Sequence, residues 1–510
     1  MIAAWLLLLA ATGCDKPAAP TPETPPVVVT EPQTFYVDAA AASGGDGSLE
    51  RPFLTLAEAL TVADEGDTIQ LAPGRYAECP VIESGVELIG SSLDSVVIDC
   101  ADAVTGLVIR AAVVRIEGLT LRGGVKGIVV EPDARLIARS IRVMSSIGVG
   151  IDVDGELQAQ DLEIIGVTAG VGDDRGFGLR ANSGSRVVWV GGRLSASAAD
   201  GLRSVDSAVD LTDVIVEGNG DSGLSLQAGL DARVDNCTIR NNAQTGIFVG
   251  ERTLELTNSQ VESNPYGVLT SPGSKLTIEK NRFEKNGEGV AVVGSTGSVR
   301  ENLFRENSDG ALSIQNAGSA GFQVELNSFI DNWGHAIHLS YCNVATVDNN
   351  DIQGTRRVDD PAFGLVLGDG ISLLESVATL TSNRIVSSEG AGIYGQYSRG
   401  ELKNNTVLGN LEGGVFLTDN VDELWTIDSN TLDGNVGGGI VARNSRFVAI
   451  HNTIRDSKHS AQYQVGDGIA LLERIGPSEI RENTIERSAG NGIGVYLSTQ
   501  ALIENNELQD

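Results

Sequence analysis

The sequence predicts an all-β solenoid, and three observations carry that expectation. A tetrad of glycine, aliphatic, any residue, aliphatic returns at a usual step of 21 to 25 residues. Clear copies run from Gly106-Leu107-Val108-Ile109 through Gly246-Ile247-Phe248-Val249 to Gly468-Ile469-Ala470-Leu471. Alternation with period two is strand geometry, and a fixed period of this length marks stacked supersecondary units. Between tetrads, Asn-x-aliphatic or Asn-x-Phe recurs, as in Asn281-Arg282-Phe283, Asn302-Leu303-Phe304 and Asn452-Thr453-Ile454. Composition is the third observation: 62 glycines and only 5% aromatic residues suit many small layers better than a globular core.

In chain order, Ile2 to Ala10 form an apolar run too short to span a bilayer, leading into Ala11-Thr12-Gly13-Cys14. This segment resembles a bacterial lipoprotein signal peptide. The resemblance implies export and lipidation of Cys14, hence anchoring to the cell envelope through lipid alone. An ordinary secretory signal with an incidental cysteine is the alternative. Residues 15–33 carry Pro17, Pro20, Pro22, Pro25, Pro26 and Pro32 and read as an extended tether of at most about 60 Å.

Residues 34–510 form the body, with 34–76 as cap and first coil. Leu56, Ala59, Leu60 and Ala63 fall on one helical face that can cover the first layer. Cys79 and Cys100, 21 residues apart and so one repeat apart, are placed to form a disulfide, while Cys237 and Cys342 read as buried thiols. With weaker copies at positions such as Gly310, Ala336 and Gly492, seventeen tetrads give a rod about 80 Å long. Asparagine between strands tolerates the left-handed backbone of a sharp corner, and its amide can ladder to the next layer. No C-terminal counterpart of the cap is legible around Asn505-Asn506-Glu507-Leu508.

On these motifs the chain resembles the pectin-lyase-like superfamily of right-handed parallel β-helices. The most specific block is Phe35-Tyr36-Val37-Asp38, then Arg51-Pro52-Phe53-Leu54-Thr55-Leu56, Gly66-Asp67-Thr68-Ile69 and Pro73-Gly74-Arg75-Tyr76. The resemblance implies a right-handed parallel β-helix with a short N-terminal capping helix, and ligands in a groove along one sheet.

Outward residues of that groove come from the third tetrad position. Phe248, Tyr394 and Phe416 there offer faces for sugar rings, with Ser372 between. Three coils, at Val167 to Phe177, Gly354 to Asp369 and Asp456 to Asp467, carry extra residues on one edge, where binding loops are commonly held. Around the middle insertion, His338, Tyr341, Arg356 and Asp369 form a candidate catalytic set, and Asp359, Asp360, Asp369 and Glu375 a candidate Ca²⁺ set. A polysaccharide lyase needs such a base, with a cation to stabilise the developing enolate. The repeated Gly-Asp-Gly at Gly368 and Gly466 reads first as turn chemistry.

A formal charge of −32 excludes nucleic acid as a partner and opposes polyanionic glycans unless a cation bridges them. The expected function is an envelope-anchored module binding polysaccharide or another surface partner. The alternative is a polysaccharide lyase or related enzyme acting on uronate-containing glycans.

Overall fold

The computed structural model describes residues 31–101, 105–317, 321–360, 365–460, 465–473, 477–497 and 500–510, with the backbone alone at 359, 360, 365 and 366. Cys14 and most of the tether lie outside these residues. One coil shows the plan. Thr245–Gly250 belongs to the tetrad sheet, Thr253–Thr257 to a second sheet and Gln260–Glu262 to a third. Each pairs in parallel with its equivalent one coil on, Tyr266–Thr270, Lys275–Glu279 and Arg282–Glu284. Towards the N-terminus the second and third strands run together as ten-residue strands, such as Arg135–Met144 and Glu156–Ile165, bent at the left-handed Ser140 and Asp161.

Among the described residues the tetrad sheet holds eighteen strands, one more than the tetrad count. The extra strand is Val81–Ile82, which pairs with Val108–Ile109 and so sets Cys79 and Pro80 level with Gly106 and Leu107. The first tetrad aliphatics stack in register, as in Ile247 on Val268 on Val290 on Leu312, and all are buried. Each full burial contributes roughly 1.5–3 kcal/mol, and no layer achieves it without its neighbours. In the third sheet Phe283, Phe304 and Phe329 stack inside the rod with ring centroids 4.9 and 4.8 Å apart.

The tetrad glycine is set by close approach. A Cβ on Gly246 would lie 2.6 Å from the Gly267 carbonyl oxygen and 3.1 Å from the Asn264 amide nitrogen. Within the seventeen tetrads alanine replaces it twice, at the fully buried Ala311 and Ala336. The coil read as starting at Gly310 therefore starts at Ala311, as the pairing of Leu312 with Val290 and Ile337 requires. Because the glycine and the aliphatic after it both face inward, strict alternation fails there. The residue before the glycine faces out.

The asparagines of the Asn-x-aliphatic motif form ladders, but they do not occupy the left-handed corners; the residue before each of them does, at some coils itself an asparagine such as Asn349 or Asn404. Asn281, Asn302, Asn327 and Asn350 are buried, and the residues just before them, Lys280, Glu301, Leu326 and Asn349, have φ of 59°, 55°, 57° and 51°. The corner turns one residue earlier, so the asparagine side chain points in. The Asn302 amide donates to Asn327 Oδ1 at 3.0 Å and to the Ile278 carbonyl at 2.9 Å, while its backbone N–H donates to the same Oδ1 at 3.0 Å. A second ladder runs through Asn219, Asn242, Asn264, Asn286, Asn307 and Asn332 at the corner entering the tetrad sheet.

The helix Leu56–Val62 closes the first layer, with Leu56, Ala59 and Ala63 buried and Leu60 partly so. Thr55 and Glu58 form its capping box, and the Glu78 carboxylate accepts the N–H groups of Leu56 and Ala57 at 2.7 and 2.9 Å. Cys79 and Cys100 are disulfide-bonded, with Cα atoms 5.6 Å apart, and Cys237 and Cys342 are buried free thiols. The last layer exposes Leu502, Ile503 and Leu508.

Candidate functional site

All three insertions spring from one position, three residues before a tetrad, as the bridges Ile147–Thr168, Trp333–Arg356 and Val436–Lys458 show. Described residues of the first and last reach the outer face of the tetrad sheet, where Asp174 pairs with the outward Arg180 at 3.0 Å. Val465 of the last insertion packs on the outward Val441 and Ala470, which makes a small apolar cluster outside the main core.

Two outward columns cross this face. The third tetrad position runs through Ser313, His338, Ser372, Tyr394 and Phe416 on five successive layers. Beside it lies the column of residues preceding each tetrad, with Tyr266, Glu288 and Gly310 in register and then His335 paired with Asp369. The two columns meet around His335 and His338. His338 Nδ1 lies 2.6 Å from Ser372 Oγ, and His335 Nε2 lies 2.9 Å from Ser313 Oγ. The two imidazole centroids are 5.3 Å apart. Across Gly310, His335 Nε2 comes within 3.9 Å of Glu288 Oε1, a buried oxygen with no hydrogen-bond partner.

Burial sets the protonation of this cluster. It pushes His335 down to about 3, aided by the nearby His338, and pushes His338 down to about 4. Both rings are neutral at pH 7. Burial pushes Glu288 up to about 7, with the Ser313 hydroxyl opposing and Asp309 adding to the rise. The result is a carboxyl poised between its two forms beside two neutral bases.

The structure brings together only part of the set expected from sequence. Ser372, Tyr394 and Phe416 continue the His338 column, and the Tyr394 and Phe416 rings stack with centroids 6.0 Å apart and planes 18° apart. Phe248 is on the same face, beside Leu269 and Ser225, away from His338. Tyr341 sits in a left-handed corner with φ 54° and is exposed. Arg356 stacks on Trp333 at 5.5 Å and reaches Asp331 at 3.4 Å, on the insertion edge.

Asp369 is pushed up to about 7, by burial first and then by Glu412, and its Oδ1 accepts the Ala391 N–H at 2.8 Å. Asp467 accepts the Asn491 N–H in the same way at 2.6 Å. Both Gly-Asp-Gly aspartates thus hold the next coil's corner. Glu375 turns a different corner, with φ 46°, and lines a shallow groove with Tyr397, Arg399 and Glu423. Asp369 therefore begins the strand Asp369–Leu374 and Glu375 turns the corner after it, at opposite ends, and the side chains of Asp359 and Asp360 lie outside the described residues. No group of three metal-ligating side chains occurs among the described residues, and no helix there is long and apolar enough to cross a membrane.

Glu288, Ser313 and His335 escaped sequence reasoning for two reasons. The one-residue error at Gly310 hid Ser313. Strict alternation hid the column before the glycine.

The family described as right handed beta helix region matches residues 200–352 and 335–508. The chain belongs to this right-handed β-helix family. No curated protein matches its sequence. Among solved structures, the β-helix is similar to the Dettilon tailspike protein at 13% identity and TM-score 0.30, over 54% of this chain and 62% of that one. The chain thus spans less than two thirds of the tailspike. It is also similar to the periplasmic alginate epimerase AlgG, at 14% identity and TM-score 0.30 over 64% and 77% of the two chains. For the family 6 alginate lyase AlyGC the values are 10% and 0.27, over 93% and 100%.

Proposed function

We propose that this β-helix binds a polysaccharide, or another envelope partner presenting sugar rings, along the outer face of its tetrad sheet. The observation that carries this reading is the stacked pair Tyr394 and Phe416, continuous with the polar column of Ser372, His338 and Ser313. Rings offer apolar faces to sugars, and the adjoining hydroxyl and imidazole groups supply directional hydrogen bonds. A lipid on Cys14 holds the rod at the envelope, with residues 15–33 as spacer. Retention on immobilised glycans tests the binding face. Tyr394→Ala and Phe416→Ala should each weaken retention about 3- to 10-fold, on the scale of one aromatic contact; unchanged retention in the double variant rejects this face. Labelling with a lipid precursor, lost in Cys14→Ser, tests the anchor.

A second reading is favoured by His338. Its imidazole is neutral at pH 7, and Ser372 fixes its Nδ1. Among the described residues no hydrogen bond engages Nε2, which suits removal of the proton beside a uronate carboxylate. Under this lyase reading, polyuronates gain unsaturated ends that absorb in the ultraviolet, and His338→Ala abolishes the signal. Assays with and without Ca²⁺ test whether a bridging cation contributes. No turnover on any polyuronate leaves the binding reading alone.

A further inference from the structure

The polar end of this face has an electrostatic problem that its neutral imidazoles can solve. The chain carries a formal −32, so a carboxylate-bearing ligand meets repulsion before it meets contacts. The fixed cations bordering these layers are engaged with carboxylates. Arg356 pairs with Asp331, Arg357 with Glu412 at 2.8 Å, and Arg305 with Glu284 at 3.1 Å. Among the described residues, the tetrad sheet's two imidazoles, tilted at 46° to each other, are the remaining source of positive charge at the site.

Geometry couples them. Gly310 leaves open the space into which the His335 ring folds, within reach of Ser313 and of the unpartnered oxygen of Glu288. Among the described residues, the other ionisable groups around the pair are Asp309 beside Glu288, Asp369 paired in register with His335, and Glu412 and Arg357 beyond Asp369, with the phenols of Tyr394 and Tyr266 further along the two columns. Apart from Arg357 they are acidic or neutral, so a proton gained here is held by the protein as well as by the ligand.

Resting on the binding reading above, we infer that this face recognises a carboxylate-bearing polysaccharide by taking up a proton from solvent onto the His335–His338 pair as the ligand seats. With centroids 5.3 Å apart, the rings accept one proton between them, because a second would meet the first. No covalent bond changes. The bound carboxylate supplies the counter-charge that burial denies the free protein. Affinity rises as pH falls below neutrality, approaching tenfold per unit while the bound pair is charged and the free pair is not. Above pH 7 the ionised Glu288 opposes binding further. Protonation of the ligand's own carboxylates, near roughly pH 4, sets the lower limit.

Calorimetric titration of the full protein with a galacturonate hexamer and its methyl ester tests this. At pH 5, 6 and 7, in buffers of different ionisation enthalpy, the acid oligomer should bind with uptake close to one proton and tighten severalfold per unit of acidification. The ester should change by less than twofold. His335→Gln/His338→Gln should lose the proton uptake. Should that variant not fold, nitrogen-15 histidine spectra of the wild type at pH 6 should show a charged ring only with the acid oligomer bound. Binding of the acid oligomer without proton uptake overturns the inference and leaves the binding reading standing; retention of neither oligomer at any pH overturns both.

Discussion

The imidazole of His335 fills the space that a side chain on Gly310 would need. A Cβ there would lie 2.4 Å from His335 Nε2 and 2.5 Å from Cε1. Gly310 belongs to the outward column yet is buried beneath that ring, so its requirement comes from the neighbouring layer. It lets His335 reach back to Ser313 and towards Glu288 in place of standing out from the sheet.

Gly310→Ala should therefore expel the ring. The expected cost is about 1–3 kcal/mol, the range for overpacking. Histidine titration by NMR should show His335 rising towards the ordinary imidazole value as it gains water. A variant with wild-type stability and an unshifted His335 contradicts the seat.

Stability should carry opposed pH terms from this cluster. His335 and His338 are depressed in the fold, so their contribution is complete above the ordinary value of 6.5 and is lost as pH falls towards 4 and 3. Glu288 and Asp369 are raised, so theirs is complete below the ordinary carboxylate range and is lost as pH rises to about 7. Between these limits the terms offset. Glu288→Gln should stabilise the protein at pH 8 by on the order of 2 kcal/mol and steepen its loss of stability on acidification. Urea unfolding at pH 5 and pH 8 measures both; a uniform shift at the two pH values contradicts the assignment.

Leu326 and Asn327 allow the corner to be tested in two opposite directions. Asn327 is buried, and its Oδ1 accepts both the backbone N–H and the amide of Asn302. Asn327→Ala leaves the Asn302 backbone N–H unpaired, while the amide keeps the Ile278 and Arg300 carbonyls, and should cost about 1–3 kcal/mol. Leu326 is half exposed at φ 57°. Leu326→Gly relieves a left-handed strain of roughly 1–2 kcal/mol against a smaller entropic cost, so it should stabilise by up to about 1 kcal/mol. Denaturation midpoints of the two variants should move in opposite directions.

Loss of the Cys79–Cys100 bridge should loosen the N-terminal end first. Cys79→Ser/Cys100→Ser should cost about 2–4 kcal/mol in the capping layers. Native-state proteolysis should then cut near the helix Leu56–Val62 before the middle coils. Equal resistance with and without the bridge contradicts this.

Much of the fold was legible because a solenoid repeats its constraints. Gly246, Ile247 and Val249 face the same surroundings as their equivalents, so one coil's pattern predicts the next. The Asn281–Asn302 ladder was legible as a ladder, yet the corner was misplaced by one residue, since sequence shows that asparagine recurs and not which neighbour turns. His338, Ser372, Tyr394 and Phe416 were legible from the third tetrad position. Glu288 and His335 were not, because the buried glycine interrupts alternation just where they stand. Tyr341 and Glu375 are adjacent to tetrads in sequence, but the left-handed corner carries them off the face.

The most direct test is photo-crosslinking with a diazirine-bearing galacturonate oligomer at pH 5.5, mapped by mass spectrometry. Adducts should concentrate in the tetrad strands His335–Ser340, Asp369–Leu374, Ile393–Gln396 and Val415–Thr418. They should fall in Tyr394→Ala/Phe416→Ala. Adducts confined to the second sheet, in strands such as Lys275–Glu279 or Val377–Thr381, would contradict a binding face built on the glycine-led strands.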